Sequence, residues 1–390
     1  MDTSTERRII GEVAGLIERG TTAMADQVRL LPAATYIDPR RHVAERGLFF
    51  KKLPLVAAPS SALPDPGDFV TLDMAALPVV VVRGKDGTVR AFINVCRHRG
   101  NQVVAEPSGT RRSLVCQYHA WTYDLQGHCR TFVDREGFAG LDQDRYGLLE
   151  LPTEERHGLV WVLPSPDGQM DLSAHLGAAY GTELEELGMS GFSIYRREML
   201  RLPFNWKLGA DTFQELFHVA YLHKNTVGPL LLGNVGAHED FGRHYRHTGV
   251  RKTFPKMLTL PVEEQSIFPQ SAMVHLAFPN TLVIWQLDHI EMWNFFPDGH
   301  LDGACQAHIS MLIPEPATTD SARRHWQRNW DVLEASVMTE DFGTMEKIQK
   351  NLESGVLPDF VLGRNEIALQ HFHRQLDDAL ATDGFDPGTG

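Results

Sequence analysis

The sequence is short of several things, and each shortage narrows its role. Four cysteines in 390 residues are too few for a disulfide framework. Lys and Arg total 37 against 50 Asp and Glu, and the formal net charge of −13 argues against nucleic acid or an anionic membrane as partner. No apolar run approaches the ~20 residues needed to span a bilayer. The start, Met1-Asp-Thr-Ser-Thr-Glu6, lacks the basic residues and apolar core of a secretory leader, so a cytoplasmic protein is expected. There is no G-x-G-x-x-G dinucleotide fingerprint, so nicotinamide chemistry would have to come through another protein. No internal repeat or low-complexity tract appears. What remains is a chain long enough to bury a large core in about two or three domains.

Two of the four cysteines sit in the most informative segments, Cys96-Arg-His98 and Cys116-Gln-Tyr-His119, with seventeen residues between His98 and Cys116. The order C-x-H, C-x-x-H fits a [2Fe–2S] cluster with two thiolates on one iron and two imidazoles on the other. Neutral imidazoles lower the negative charge at such a cluster and raise its potential. Its work is to move electrons singly. Structural zinc competes for the same ligand types. A zinc finger, however, usually puts both Cys in one knuckle and both His in a helix, whereas here each knuckle holds one of each. Cys129 and Cys305 read as ordinary buried or strand cysteines.

Around these knuckles the pattern is β-rich and broken by turns. Val79–Val82 is followed by Gly84-Lys-Asp-Gly87, and Leu159–Leu163 by Pro164-Ser-Pro-Asp-Gly168. Residues 46–164 therefore read as a small all-β domain. Residues 1–45 read as an N-terminal helical segment, with an apolar stripe at Ile9, Ile10, Val13, Leu16 and Ile17 and a helix expected over 5–20. Residues 165–390 form the rest. Helices are expected over 204–223, about 319–353 and about 364–380. Two strands are expected between Val274 and Phe296, and the whole makes an α+β layer.

The expected helix over 204–223 carries Asp211, Glu215, His218 and His223. Two His and one carboxylate on one face of Fe(II) leave positions open for O₂ and substrate. On a regular helix Asp211, Glu215 and His218 share a face. His223, five residues after His218, falls about 140° away at ~3.6 residues per turn. Both imidazoles can reach one ion only if the helix loosens or ends between them. A third ligand is sought in Glu340-Asp341. Asp341 shares a face with Val337, Thr344, Met345 and Ile348, where a buried carboxylate needs a cation or hydrogen bonds. Glu340 shares a face with Ser336 and Lys347 and reads as solvent-facing. His238, His244, His247, His275 and His289 have no ligand spacing. Phe213, Phe217, Leu230, Leu231, Phe278, Trp285 and Phe296 are candidates for an apolar pocket. Arg97, Arg99, Arg111 and Arg112 are candidates for docking an acidic ferredoxin.

Cys96-Arg-His-Arg-Gly100 with Cys116-Gln-Tyr-His-Ala-Trp121 resembles the Rieske domain of the Rieske non-haem iron oxygenases, the ring-hydroxylating oxygenase α subunits. Ala120 departs from the Gly common there. The resemblance spans essentially the whole chain. It implies a Rieske [2Fe–2S] domain inserted in a helix-grip (START-like) catalytic domain, with an antiparallel sheet and long C-terminal helices. It implies Cys96, His98, Cys116 and His119 as cluster ligands and His218, His223 and Asp341 as ligands of a mononuclear Fe(II). Glu215 becomes the acid bridging to a neighbouring subunit's cluster, with Asp211 a further catalytic candidate. Glu215 stands where Asp is commoner, and Thr212 where several members carry Asn.

The expected function is that of a terminal oxygenase. Electrons from NAD(P)H would arrive through a flavin reductase, a ferredoxin or both. O₂ would be used for cis-dihydroxylation or mono-oxygenation of an aromatic or other hydrophobic ring. The expected assembly is a head-to-tail homotrimer, with or without an additional β subunit. The competing readings are a monooxygenase or demethylase acting on a quaternary amine or steroid, a non-catalytic Rieske electron carrier, and a lipid-binding START-like module with a decayed iron site.

Overall fold

The computed structural model describes residues 1–299 and 303–386. The chain divides into two compact units. One comprises 46–177 with 188–191; the other comprises 1–45, 178–187 and 192–390. No helix among the described residues is long and apolar enough to cross a membrane.

The first unit is built from antiparallel strands. A five-stranded sheet runs Glu150–Leu151, Val89–Ile93, Pro78–Arg83, Asp68–Asp73, Ser108–Thr110 in spatial order. Val79–Val82 is fully buried, as a valine run covered on both faces must be. Two three-stranded sheets complete the unit, one of them made of Leu114–Val115, Thr122–Tyr123 and Cys129–Thr131. Phe69, Val80, Phe92, Trp121 and Tyr123 form a core that also encloses Cys96 and Cys116.

The second unit is a seven-stranded antiparallel sheet with helices packed on it. Its strands are β1 (Ser193–Leu202), β2 (Leu231–Phe241), β3 (His244–Arg251), β4 (Ser271–Ala277), β5 (Thr281–Gln286), β6 (His289–Pro297) and β7 (Cys305–Ile313). Their spatial order is β1-β7-β6-β5-β4-β3-β2. The run from Val274 to Phe296 thus contributes to three strands, where two were expected. Pro279-Asn280 makes the first break, and Leu287, in left-handed backbone at φ 65°, makes the second. Cys129 and Cys305 are buried strand residues, and both are free thiols.

The N-terminal helix spans Thr3–Glu18. The Asp2 carboxylate caps it by accepting from the N–H groups of Ser4 and Thr5, at 2.7 and 3.0 Å. Its stripe of Ile9, Ile10 and Val13 packs with Ala237, Val250, Phe254 and Met273. Gly20, at φ 59°, follows its end.

The helix expected over 204–223 is largely absent. Asn205 caps a short helix, Trp206–Asp211, and the chain then leaves helical geometry until a 3₁₀ turn at His218–Ala220. The short helix is pressed onto the sheet: a Cβ on Gly209 would lie 2.5 Å from the Phe295 ring. A six-residue helix has little stability of its own, and buried ion pairs fix this one. Lys207 Nζ donates to Glu45 Oε2 at 2.7 Å, and Arg41 Nε to Glu45 Oε1 at 2.8 Å. Burial alone would raise the Glu45 pKa, but the two cations hold it below the usual carboxylate range.

The segment expected as one helix over 319–353 is helical from Asp320 to Leu352, with a π-helical stretch over Glu334–Asp341. The Phe342 N–H reaches back five residues to Val337 O. The last helix spans Ile367–Thr382.

Glu45→Gln leaves the Lys207 ammonium buried without a counter-charge. The expected loss is about 3–5 kcal/mol. Urea unfolding should show it, with most of the loss recovered in the double variant Glu45→Gln/Lys207→Met.

Candidate metal centres

Each Cys-His knuckle is a six-residue loop closed by an antiparallel pair, Val95 with Gln102 and Val115 with Thr122. The loops are equivalent bond for bond. Cys96 N–H donates to Asn101 O (2.7 Å) as Cys116 N–H does to Trp121 O (2.9 Å). Gly100 N–H donates to Cys96 O (3.0 Å) as Ala120 N–H does to Cys116 O (2.9 Å). The fifth residue of each is left-handed, Gly100 at φ 75° and Ala120 at φ 54°. Glycine takes that conformation freely, whereas alanine gives up about 1 kcal/mol.

Both thiols are buried, and the His98 and His119 rings are half-exposed with centroids 4.7 Å apart. His98 stacks on buried Trp121 at 5.0 Å, interplanar angle 5°. The Tyr123 hydroxyl lies 3.4 Å from Cys96 Sγ, and the Asn101 amide donates to Cys116 Sγ at 3.6 Å. Burial opposes ionisation of Cys116, but the N–H groups of Tyr118 and His119 and the Asn101 amide bring its pKa below the usual thiol value. Burial and the nearby positive groups lower the His98 pKa, favouring the neutral ring that binds metal. The donor set, two buried thiols beside two imidazole rings, fits a [2Fe–2S] cluster.

In the second unit His218, His223 and Asp341 converge. Their ligand atoms lie within 4.8 Å of one another. His218 Nε2 is 3.2 Å from His223 Nε2. Asp341 Oδ1 is 3.6 and 3.2 Å from these nitrogens. The helix break noted above is what allows it: His218 opens the 3₁₀ turn, and the chain turns again before His223.

The far side of each ring is committed to a carboxylate. His218 Nδ1 pairs with Glu215 Oε1, and His223 Nδ1 with Glu340 Oε2 at 2.7 Å. With Nδ1–H donated, both Nε2 atoms present lone pairs. Asp341 Oδ1 is buried and has no partner in hydrogen-bond geometry. Three acceptors facing one another repel unless a cation sits among them. The arrangement therefore fits a ferrous ion, with two imidazoles and one carboxylate on one face.

Glu340 is a correction to the sequence reading, which turned it toward solvent. Its carboxylate also accepts from the Thr226 hydroxyl at 2.7 Å. The cause is the π segment, whose wider turn lets successive residues 340 and 341 both reach the imidazoles. Ser336, expected on the same solvent face, is buried and donates to Val332 O at 2.7 Å. Glu215 accepts from the His218 N–H at 3.0 Å and from the Phe217 N–H. Against burial, these bonds and the His218 ring bring its pKa below the usual value, so it stays ionised.

Asp211 is not brought to the three converging side chains. Its oxygens accept from Tyr36 OH at 2.5 Å and pair with His373 Nε2 at 2.9 Å. Neither partner was singled out from sequence, since both come from the chain ends.

A cavity of about 230 Å³ opens on the convergence, lined by Phe213, Leu216, Leu230, Leu231, Val274 and Ile284 with polar neighbours. Phe217 is instead exposed, Phe278 and Phe296 are buried core, and Trp285 packs on the N-terminal helix cluster. A second cavity, about 540 Å³, flanks Glu215 and His218 on another side, with Asp211 and Glu366 in its wall. Thr212 lines both. Burial pushes His247 down to about 4, and it is tied to Phe213 O at 2.6 Å.

Two family models match the chain. The Rieske [2Fe-2S] domain covers residues 54–139, and the ring hydroxylating alpha subunit (catalytic domain) covers 189–382. The chain is 31% identical over 223 residues to the glycine betaine monooxygenase oxygenase subunit of Pseudomonas aeruginosa, covering 55% of this chain and 51% of that protein. It is 30% identical over 211 residues to the biphenyl dioxygenase subunit alpha of Metapseudomonas furukawaii, covering 50% and 45%. The chain thus spans about half the length of the curated relatives it matches. In fold it is similar to naphthalene 1,2-dioxygenase from Rhodococcus sp. bound to indole, with TM-score 0.77 and 18% identity over 97% of this chain and 99% of that one.

Removing the carboxylate behind His223 should loosen the metal without touching the cluster. Glu340→Ala is expected to weaken Fe(II) binding about 10–100-fold, the usual cost of losing an outer hydrogen-bond partner. Iron retained after dialysis against graded chelator should show this, while the visible spectrum of the cluster stays as in the parent.

Proposed function

The chain belongs to the Rieske non-haem iron oxygenases, as a ring-hydroxylating α subunit, and from that premise we propose that it is a terminal oxygenase hydroxylating an aromatic or other hydrophobic ring. The observation that carries this is the meeting of His218, His223 and the unpartnered Asp341 oxygen at the wall of an apolar cavity.

Cys96, Cys116, His98 and His119 would hold the cluster, and His218, His223 and Asp341 the mononuclear iron. When bound, the cluster supplies single electrons and the iron supplies a site for O₂ activation. The protein's own part is positional. Glu215 and Glu340 keep the imidazoles in one tautomer and orientation. The apolar wall seats a ring beside the metal ligands and keeps water away. Glu215, ionised and bonded to His218, would also couple that ring to a donor imidazole outside the unit. In a head-to-tail trimer that donor belongs to a neighbouring subunit's cluster, and such a ring closes heterologous contacts without a free end. Electrons would come from NAD(P)H through a reductase or ferredoxin. Exposed Arg99 and Arg112 near the knuckles are basic groups suited to an acidic carrier. A cytoplasmic location is part of this reading.

A second reading is mono-oxygenation of a quaternary amine. It is favoured by the identity to the glycine betaine enzyme and by Glu at position 215. Product analysis separates the two: the loaded protein, with chemically reduced cluster, is given ring and quaternary-amine substrates under ¹⁸O₂. Label in a ring hydroxyl supports the first reading, and label lost with an N-methyl group supports the second.

Two variants test the residue roles. Asp341→Ala is expected to fall from three irons per chain to two, keeping the brown cluster and losing turnover; three irons with full activity would remove Asp341 from the ligand set. Glu215→Gln is expected to keep both metals and the oligomer but lose most single-turnover product. Normal cluster oxidation coupled to product in that variant would end the coupling role.

A further inference from the structure

The cavity beside the metal ligands contains one guanidinium that has no ion-pair partner among the described residues. Arg251, the last residue of β3, lines it. Its Nε is buried without a hydrogen-bond partner. Among the described residues its side chain makes no hydrogen bond, and no carboxylate lies within the 4.0 Å of an ion pair.

The acids nearby are already engaged. Asp288, whose field reaches Arg251, pairs with His289 Nδ1 and His325 Nε2, both at 2.9 Å. Glu291, in the cavity wall, accepts from Trp293 Nε1 at 3.3 Å and faces His289 Nε2 at 3.6 Å. Burial lowers the Arg251 pKa, yet a guanidinium stays protonated at neutral pH. A partly buried cation without a partner is costly in a folded protein. Leu231 pairs with Arg251 across the sheet, and the same cavity is also lined by Val274, Ile284, Gln286 and Asn329.

We propose that Arg251 is the specificity residue of this cavity, and that its ligand is a small molecule with an apolar ring body and one oxyanion, a carboxylate or a sulfonate. This deepens the reading of the cavity as the substrate site and rests on it. A guanidinium matches either oxyanion with paired N–H donors. The size agrees: about 230 Å³ is below the range of roughly 300–1,000 Å³ typical of drug-sized sites. The body must be apolar because the wall is. A quaternary ammonium head would want aromatic faces or a free carboxylate. Among the described residues Phe213 is the one Phe, Tyr or Trp in the wall, too few for an aromatic cage, and of the wall's carboxylates Glu291 is bonded to Trp293 while Glu215 and Asp341 face the metal-binding imidazoles.

The test is binding to the metal-loaded protein, measured by calorimetry and so independent of any electron donor. The probes are matched pairs: benzoate and benzamide, 2-naphthoate and 2-naphthamide, benzenesulfonate and benzenesulfonamide, with glycine betaine as the ammonium acid. At least one ring acid should bind roughly ten- to hundredfold more tightly than its amide, the scale of a charged hydrogen-bonded pair. Carboxylate against sulfonate pairs shows which oxyanion is preferred. Arg251→Gln should remove the preference, and Arg251→Lys should restore part of it. Equal binding of acids and amides, a preference unchanged in Arg251→Gln, or binding of glycine betaine but of no ring acid would each overturn the proposal. A ring acid that binds through Arg251 but returns unhydroxylated after single turnover would instead sink the oxygenase reading and leave the anion site standing.

Discussion

Two imidazole nitrogens 3.2 Å apart, each facing a buried carboxylate oxygen, would separate if nothing held them. The second unit is organised around that repulsion. Glu215 and Glu340 take the far nitrogens, fix the tautomers and leave three lone pairs pointing inward. A cation placed among them would relieve that repulsion. The irregularities of local structure serve the same geometry. The helix that would have turned His218 and His223 apart stops at Asp211. The helix that carries Asp341 widens into a π segment, so that Glu340 works beside it.

Stopping a helix after six residues has a cost in lost local hydrogen bonds, and buried charge offsets it. Glu45 ties Lys207 to Arg41, and Asp211 is held between Tyr36 and His373. These partners come from residues 36–45 and from the last helix. The chain ends thus clamp the segment that leads into the metal site. Such networks hold a shape more than they add stability. That suits a segment whose backbone geometry decides whether two imidazoles can share an ion.

What could be read from the sequence follows from what kind of constraint each feature obeys. The two knuckles were legible because ligand chemistry fixes spacing locally. Their shared loop, down to the left-handed fifth residue, explains why Ala120 can replace glycine at small cost. The need for a break between His218 and His223 was legible from helical phase alone. Its location was not, because Asp211, the last residue of the short helix, is held by Tyr36 and His373 from distant parts of the chain that no local pattern records. Glu340 was misread because a regular helix was assumed, and a π segment shifts the phase of every residue it contains. The third strand between Val274 and Phe296 was hidden by Leu287, an ordinary residue in a left-handed turn where glycine or asparagine would have signalled.

The metal ligands and the cavity wall are therefore different kinds of information. Ligands for iron are dictated by the ion, so their pattern recurs and can be read from one short segment and one distant acid. The wall is assembled from β2, β3, β4, β5, β6 and the helix that runs into the π segment, and its character depends on register across a seven-stranded sheet. Arg251 illustrates the difference. At the end of β3 it resembles any strand-terminal arginine. Only pairing with Leu231, and the prior engagement of Asp288 and Glu291 by His289 and its neighbours, makes its charge unanswered. Reaction class follows from the conserved demands of a metal, whereas substrate choice follows from which polar groups the fold leaves without partners. The two can change independently, and a family sharing one ligand set can then serve relatives named for glycine betaine and for biphenyl alike.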